Sequence, residues 1–249
     1  MTKLYKKSEI AFAILWIAAY VILSSLADQL SEAVGVIKSV TSVLHLAMSL
    51  ILFFWIRKNK LSEKYGFCRT AVPAKRFLYY LPLILIASTA FWGGIKLQYG
   101  FTESLLFFIS MCCVGFLEEV IFRGLLFRAM EKDNLKTAIL VSSLTFGLGH
   151  VVNLFNGSGK DPISSVTQII FAVLVGFVLV QIFYHGKSLI PCILFHAANN
   201  ALKVFSAEGS LDPKVEMALN LVLTVVVLGG YSLYLVRAFS KKAWQQKHR

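Results

Sequence analysis

Residues 104–127 read SLLFFISMCCVGFLEEVIFRGLLF, and this stretch decides the class of the protein. As a helix with a rise of about 1.5 Å per residue it is long enough to cross a hydrocarbon core of about 30 Å. It nevertheless carries Glu118, Glu119 and Arg123. Because a charged side chain at the centre of a membrane span costs about 3 kcal/mol even on lenient scales, these groups are expected to face the protein interior.

Comparable apolar blocks recur along the chain and predict about eight transmembrane helices. The spans are expected near residues 9–26, 40–56, 77–94, 104–127, 137–155, 163–184, 189–205 and 215–236. The composition agrees, since 57% of the residues are hydrophobic and 15% are charged, against about 25% charged in soluble domains. Only helices and closed barrels satisfy their backbone in lipid, and blocks without period-2 alternation indicate helices. The sequence therefore predicts an all-α polytopic bundle forming a single transmembrane domain, residues 1–249.

The basic residues predict the orientation of this bundle. Of the 25 Lys and Arg residues, nineteen fall in one alternating set of loops and termini and four in the other. Since basic loops stay on the cytoplasmic side, both termini are expected in the cytoplasm. The net charge of +12 lies in short flanks of apolar blocks, so it indicates anionic lipid headgroups as partners and not nucleic acid. A bacterial plasma membrane is the expected location.

The charged residues of the fourth span differ in their expected roles. Glu119 and Arg123 are four residues apart, so they share a helix face and are expected to form an ion pair that braces this helix. Glu118 lies about 100° further round the helix and needs another partner. A desolvated acid in that position suits the role of a general base.

Two further spans place polar side chains in apolar surroundings. His150 ends the segment Phe146-Gly147-Leu148-Gly149-His150, whose glycines allow close approach of a neighbouring helix and are expected to bring the imidazole against an acid. In the seventh span His196 and Asn200 are four apart and face the same way. The intervening Asn199 points elsewhere and is expected to be a helix-packing amide.

The expected depths of these side chains agree. Counted at 1.5 Å per residue, Glu118 lies about 13 Å, His196 about 11 Å, Asn200 about 17 Å and His150 about 20 Å from the cytoplasmic face. All four positions fall in the central slab of the membrane. The sequence therefore predicts one polar site formed by three helices.

The chemistry that this set can perform is hydrolysis of a peptide bond without a covalent intermediate. Glu118, helped by His150, could take a proton from water, and His196 and Asn200 could donate to the oxyanion, at about 3 kcal/mol per donor. A metal version uses Glu118, His150 and His196 as the ligands of a catalytic zinc ion with an open position. The residues alone leave both versions open.

Three motifs in this order resemble those of a known family. They are Glu-Glu-x-x-x-Arg at Glu118 to Arg123, Phe-x-x-x-His at Phe146 to His150, and His-x-x-x-Asn at His196 to Asn200. This chain resembles the CPBP family, which groups CaaX-processing prenyl endopeptidases with bacteriocin-processing, immunity and Abi-type proteins. The resemblance covers residues 101–205, the expected catalytic core.

The resemblance implies an intramembrane endopeptidase in which Glu118 and His150 activate water while His196 and Asn200 stabilise the transition state. Both a metalloprotease and a metal-free glutamate mechanism are attributed to the family. The implied substrate is a peptide or a lipid-anchored protein. In a bacterial membrane, a leader-bearing peptide, a pheromone precursor or a bacteriocin is expected more than a prenylated protein. The alternatives are a non-proteolytic immunity or scaffold protein that retains the family core and an ion-coupled transporter.

Overall fold

The computed structural model describes residues 1–72, 79–154, 162–207, 209 and 211–237. The helices in this part of the chain are α1 (Thr2–Lys7), α2 (Glu9–Val34), α3 (Ser39–Lys58), α4 (Leu81–Ser88), α5 (Phe101–Glu118), α6 (Arg128–Met130), α7 (Leu135–Leu148), α8 (Pro162–Gly186), α9 (Ile190–Ala201) and α10 (Pro213–Thr224). Parts of the third and fifth predicted spans, residues 77–78 and 155, lie outside the described residues.

Several helices continue in other helical forms. The 3-10 segments Thr89–Phe91, Gly149–Leu154 and Leu202–Phe205 follow α4, α7 and α9. A π-helix, Glu119–Phe127, joins α5 to α6, and a second one, Val225–Gly229, follows α10. Since π-helices are rare and often occur at functional sites, the first one marks the segment that carries the predicted ion pair.

Five of these helical stretches are long and apolar enough to cross a membrane. They are Glu9–Val34, Ser39–Lys58, Phe101–Met130, Pro162–Gly186 and Pro213–Arg237. Leu81–Phe91 and Leu135–Val151 are shorter apolar helices. Each of the eight predicted segments overlaps a helix, and the described residues contain no strand beyond one isolated antiparallel bridge, between Ile95 and Ser206. The prediction of an all-helical membrane protein is confirmed.

Local signals in the sequence explain where several helices begin and end. The Ser8 hydroxyl accepts a hydrogen bond from the Ala11 amide at 3.1 Å and caps α2, and Asn134 caps α7 through the Thr137 amide at 3.0 Å. Such caps satisfy amides that have no partner within the helix. Gly35 ends α2 in the left-handed conformation, with φ of 76°, which a residue without Cβ adopts at low cost.

The loop after α3 is tied to the beginning of the chain by Lys64. Its Nζ donates to Glu9 Oε1 at 2.6 Å and to Tyr5 Oη at 2.7 Å. Burial alone would lower the pKa of Lys64, but the hydrogen bonds to Glu9 and Tyr5 outweigh it and raise that pKa above its ordinary value. The ammonium group therefore links α1, α2 and the loop.

The helix α5 lies at the centre of the bundle and packs against α3 and α9, while α2 contacts α3 and the π-helix that follows α5. Gly115 permits the contact with α9, because a Cβ there would lie 2.5 Å from the Ala197 amide nitrogen. Gly115 is three residues before Glu118, and Ala197 directly follows His196. The close approach of the two backbones therefore brings the acid of α5 near the imidazole of α9.

Candidate active site

Glu118 is buried and contacts two other helices. Its Oε1 accepts a hydrogen bond of 2.7 Å from the Tyr20 hydroxyl of α2. Its Oε2 lies 3.3 Å from His196 Nε2 of α9. The partner that the sequence required for Glu118 is thus supplied from both sides of α5.

Glu119 and Arg123 form the predicted ion pair. Arg123 Nη1 lies 3.1 Å from Glu119 Oε1, and both side chains are fully buried. The guanidinium carbon also lies 4.0 Å from the centroid of the Phe146 ring, a cation–π contact that compensates part of its lost hydration. This pair connects the π-helix to α7.

His196 links the two carboxylates. Its Nδ1 lies 2.8 Å from Glu119 Oε1, while its Nε2 faces Glu118. Because a carboxylate can only accept a hydrogen bond, the contact with Glu119 places a proton on Nδ1. The orientation of the ring is therefore fixed by Glu119, and Nε2 is the nitrogen that faces Glu118.

His150 is linked to this cluster by the Phe146 ring, and it also contacts α8. Its Nδ1 lies 3.2 Å from Gln168 Nε2 of α8, and its ring is nearly perpendicular to that of Phe146, with centroids 5.8 Å apart. The Phe146 ring also meets the His196 ring edge-on, at 5.6 Å. One aromatic side chain therefore contacts both candidate histidines.

The close approach predicted at the glycines before His150 involves α8. A Cβ on Gly147 would lie 3.2 Å from the Val173 amide nitrogen and 3.3 Å from the Ile169 carbonyl oxygen. The glycine thus lets α7 pack closely along α8. This packing brings His150 to the side-chain amide of Gln168.

Asn200 is half-buried and lies beside its neighbour. The Asn199 amide donates to Asn200 Oδ1 at 3.4 Å, and Asn199 itself is buried. The amide group of Asn200 thus has its oxygen directed to Asn199.

The zinc version requires three ligands at one point. Among the residues that the structure describes, no group of three or more His, Cys, Asp or Glu side chains could hold a metal ion. His196, one of the three candidates, has both ring nitrogens directed at carboxylates. This arrangement of His196 does not fit a zinc shell. The zinc site itself stays a prediction from the sequence.

Two contacts of the site could not be found from motifs. Tyr20 lies in the first predicted span, 98 residues from Glu118, and Gln168 lies in the sixth. The only signal in the sequence is that each is a hydrogen-bonding side chain inside an apolar block. A spacing rule connects residues of one helix, so neither partner could be assigned before the helices were packed.

The fold and these contacts define a polytopic helical membrane protein with a buried cluster of two acids, an arginine and an imidazole. Residues 99–202 match a family model described as Rce1-like: type II CAAX prenyl endopeptidase Rce1-like. The chain therefore carries an Rce1-like region, and the predicted resemblance to CaaX prenyl endopeptidases is confirmed. No curated protein matches the chain. All three motifs lie inside the matched segment, whereas α2 and α3 lie outside it.

Proposed function

We propose that the protein is an intramembrane endopeptidase that hydrolyses a peptide bond of a membrane-associated peptide or lipid-anchored protein, with water activated by Glu118. The observation that carries the proposal is the buried contact between Glu118 and His196. It joins two helices inside the segment that matches the type II CAAX prenyl endopeptidase family. A buried acid beside an imidazole is the kind of pair from which general acid–base catalysis is built.

The proposed reaction uses each group of the site at a stated step. Glu118 takes a proton from water, helped by His150, and the water oxygen forms a bond to the carbonyl carbon of the substrate. His196 Nε2 and Asn200 Nδ2 donate to the resulting oxyanion. Glu118 then returns the proton to the leaving amine as the carbon–nitrogen bond breaks. Because Nδ1 of His196 already donates to Glu119, donation from Nε2 requires the ring to carry both protons.

The proposed topology has eight transmembrane segments with both termini in the cytoplasm of a bacterium. It is supported by the helix found at each predicted segment and by the alternation of basic loops. Reporter fusions after α2, after α3 and at the C-terminus test it. An enzyme reporter active only outside the cytoplasm should be active after α2 and inactive after α3 and at the C-terminus, and the opposite pattern would reverse the orientation.

The activity is tested with the purified full chain in lipid nanodiscs. The substrates are a farnesylated peptide ending in a CaaX sequence, the same peptide without the lipid, and an unlipidated leader peptide, with products identified by mass spectrometry. We expect the wild-type protein to cleave at least one of them. The Glu118→Gln variant should lose about 100-fold or more in kcat, as general-base catalysis contributes about 10²–10⁴-fold.

A matched control separates catalysis from a general effect of losing a carboxylate. Glu32 is an exposed acid near the end of α2, so Glu32→Gln should retain the wild-type rate. If folded wild-type protein cleaves none of the three peptides, or if Glu118→Gln cleaves as fast as the wild type, the proposed function is wrong.

A further inference from the structure

The Tyr20 hydroxyl determines how Glu118 is presented to α9. Tyr20 and Glu118 are 8% and 7% exposed, and their hydrogen bond is 2.7 Å long. Since Oη donates to Oε1, rotation of the carboxylate is restricted and Oε2 is left facing His196 at 3.3 Å. The contact therefore selects one orientation of the acid that the proposed reaction uses.

Tyr20 itself is held by a polar contact one helical turn away. His45 of α3 lies between two hydroxyls, with Nε2 at 2.9 Å from Ser24 Oγ of α2 and Nδ1 at 2.9 Å from Ser110 Oγ of α5. The rings of His45 and Tyr20 are in contact, with centroids 5.8 Å apart. Ser24 is four residues after Tyr20, on the same face of α2. The imidazole thus fixes α2 against α3 and α5 beside the tyrosine.

A second polar contact continues this line towards the end of α2. Asp28, a further turn along, accepts hydrogen bonds from Thr41 Oγ1 at 2.6 Å and from Lys38 Nζ at 2.7 Å. Ser31 Oγ lies 3.1 Å from Thr41 Oγ1 and accepts a hydrogen bond of 3.0 Å from the Val40 amide. These contacts set the register of α2 on α3, so the depth at which Tyr20 meets α5 is fixed by several bonds.

We infer that Tyr20 is a positioning residue for Glu118 and that His45, through Ser24 and Ser110, holds Tyr20 at the level of the acid. Tyr20, Ser24 and His45 belong to α2 and α3, outside the segment that matches the family. The kinetic part of this inference rests on the proposed function. The contact itself can be measured whether or not the protein is a peptidase.

The kinetic test removes the hydroxyl and keeps the ring. Tyr20→Phe should lower kcat about tenfold or more, because a hydrogen bond to a charged group is lost, while KM stays within about twofold of the wild type. Tyr234 is 59% exposed, so Tyr234→Phe provides a matched control that should change neither constant. A rise in KM with no loss of kcat, or an equal loss of kcat in the control, would overturn the positioning role.

The His45→Phe variant tests the second part of the inference. It keeps an aromatic ring beside Tyr20 and removes both hydrogen bonds to serine. We expect kcat to fall in the same direction, by less than in Tyr20→Phe, and to fall no further when the two substitutions are combined, because both act through Glu118. Additive losses of kcat in the double variant would show that His45 does not act through Tyr20.

An infrared measurement tests the contact without any substrate. The carboxyl band that disappears in Glu118→Gln should shift in Tyr20→Phe and stay in place in Tyr234→Phe. If Tyr20→Phe does not fold, the tyrosine C–O band of isotope-labelled protein should shift in Glu118→Gln instead. An unshifted band in these experiments contradicts the inference. A shifted band in a protein that cleaves no peptide supports the contact and refutes the proposed function alone.

Discussion

The replacement of Arg123 by methionine should strongly destabilise the fold. Arg123 and Glu119 are fully buried and 3.1 Å apart, so the substitution leaves the Glu119 carboxylate in a low-dielectric interior with His196 as its neighbour. Breaking a buried ion pair in this way costs about 3–5 kcal/mol. Loss of the contact with the Phe146 ring adds about 0.5–2 kcal/mol. The expected loss of about 3.5–7 kcal/mol is large against a typical total of 5–15 kcal/mol.

The measurement is reversible unfolding of the purified protein in mixed micelles, with sodium dodecyl sulfate as denaturant and helical circular dichroism as the signal. A double variant, Arg123→Met with Glu119→Gln, should recover most of the lost free energy, because no unpaired charge remains. Lys132→Met is the control. Lys132 is 63% exposed and lies 3.8 Å from Glu9, so its loss should change the free energy of unfolding by less than about 1 kcal/mol.

Two results would contradict a charged Glu119 that depends on Arg123. An Arg123→Met variant within about 1 kcal/mol of the wild type would mean that Glu119 carries no charge that needs compensation. A double variant no more stable than the single one would mean that the cost arises from lost packing of the arginine side chain and not from an isolated carboxylate.

Two further predictions concern packing and pH. Gly115→Ala should force α5 away from the Ala197 backbone, lower kcat about tenfold and cost about 1–3 kcal/mol of unfolding free energy. The control is Gly229→Ala, which has nothing within 4 Å of the added Cβ. It should lower neither kcat nor the unfolding free energy in the same assays. Lys64 has a pKa raised in the folded state, so its contribution to stability is complete below its ordinary pKa and is lost as the pH rises through the folded value. The free energy of unfolding should therefore fall above about pH 10 in the wild type and fall less in Lys64→Met; an equal fall in both proteins would exclude Lys64 as the cause.

The positions of the helices could be predicted because the length of an apolar block is visible directly in the sequence. Each predicted apolar block contains a helix in the part of the chain that the structure describes, yet α2 continues to Val34, eight residues beyond its predicted end. The reason lies in Asp28 and Ser31, which interrupt the apolar pattern but bond to Thr41 of α3. Polar residues whose hydrogen bonds are made to a neighbouring helix can lengthen a helix, and a hydropathy profile does not show this.

The site could be predicted only in part, for a related reason. The pairing of Glu119 with Arg123 follows from spacing within one helix, and the common depth of Glu118 and His196 follows from counting residues. The contact of His196 with both carboxylates depends on the packing of α5 on α9, which Gly115 permits. The contact of Tyr20 with Glu118 depends on the register of α2, which no motif encodes.

The buried cluster has an energetic cost that bears on its purpose. Replacing a buried ion pair by apolar residues of similar volume is often neutral or stabilising, so Glu119 and Arg123 are weak evidence for a role in stability. Their geometry indicates another role. Glu119 Oε1 pairs with Arg123 and accepts a hydrogen bond from Nδ1 of His196. The contact with Nδ1 directs Nε2 of the same ring at Glu118. A double variant in which methionine replaces both Glu119 and Arg123 would leave Nδ1 of His196 without its acceptor. If it has the stability of the wild type but no activity, the two roles are separated, because the fold is kept and only the orientation of the imidazole is lost. A double variant that retains full activity would instead assign the pair to the folding of α5 and leave Tyr20 as the group that orients Glu118.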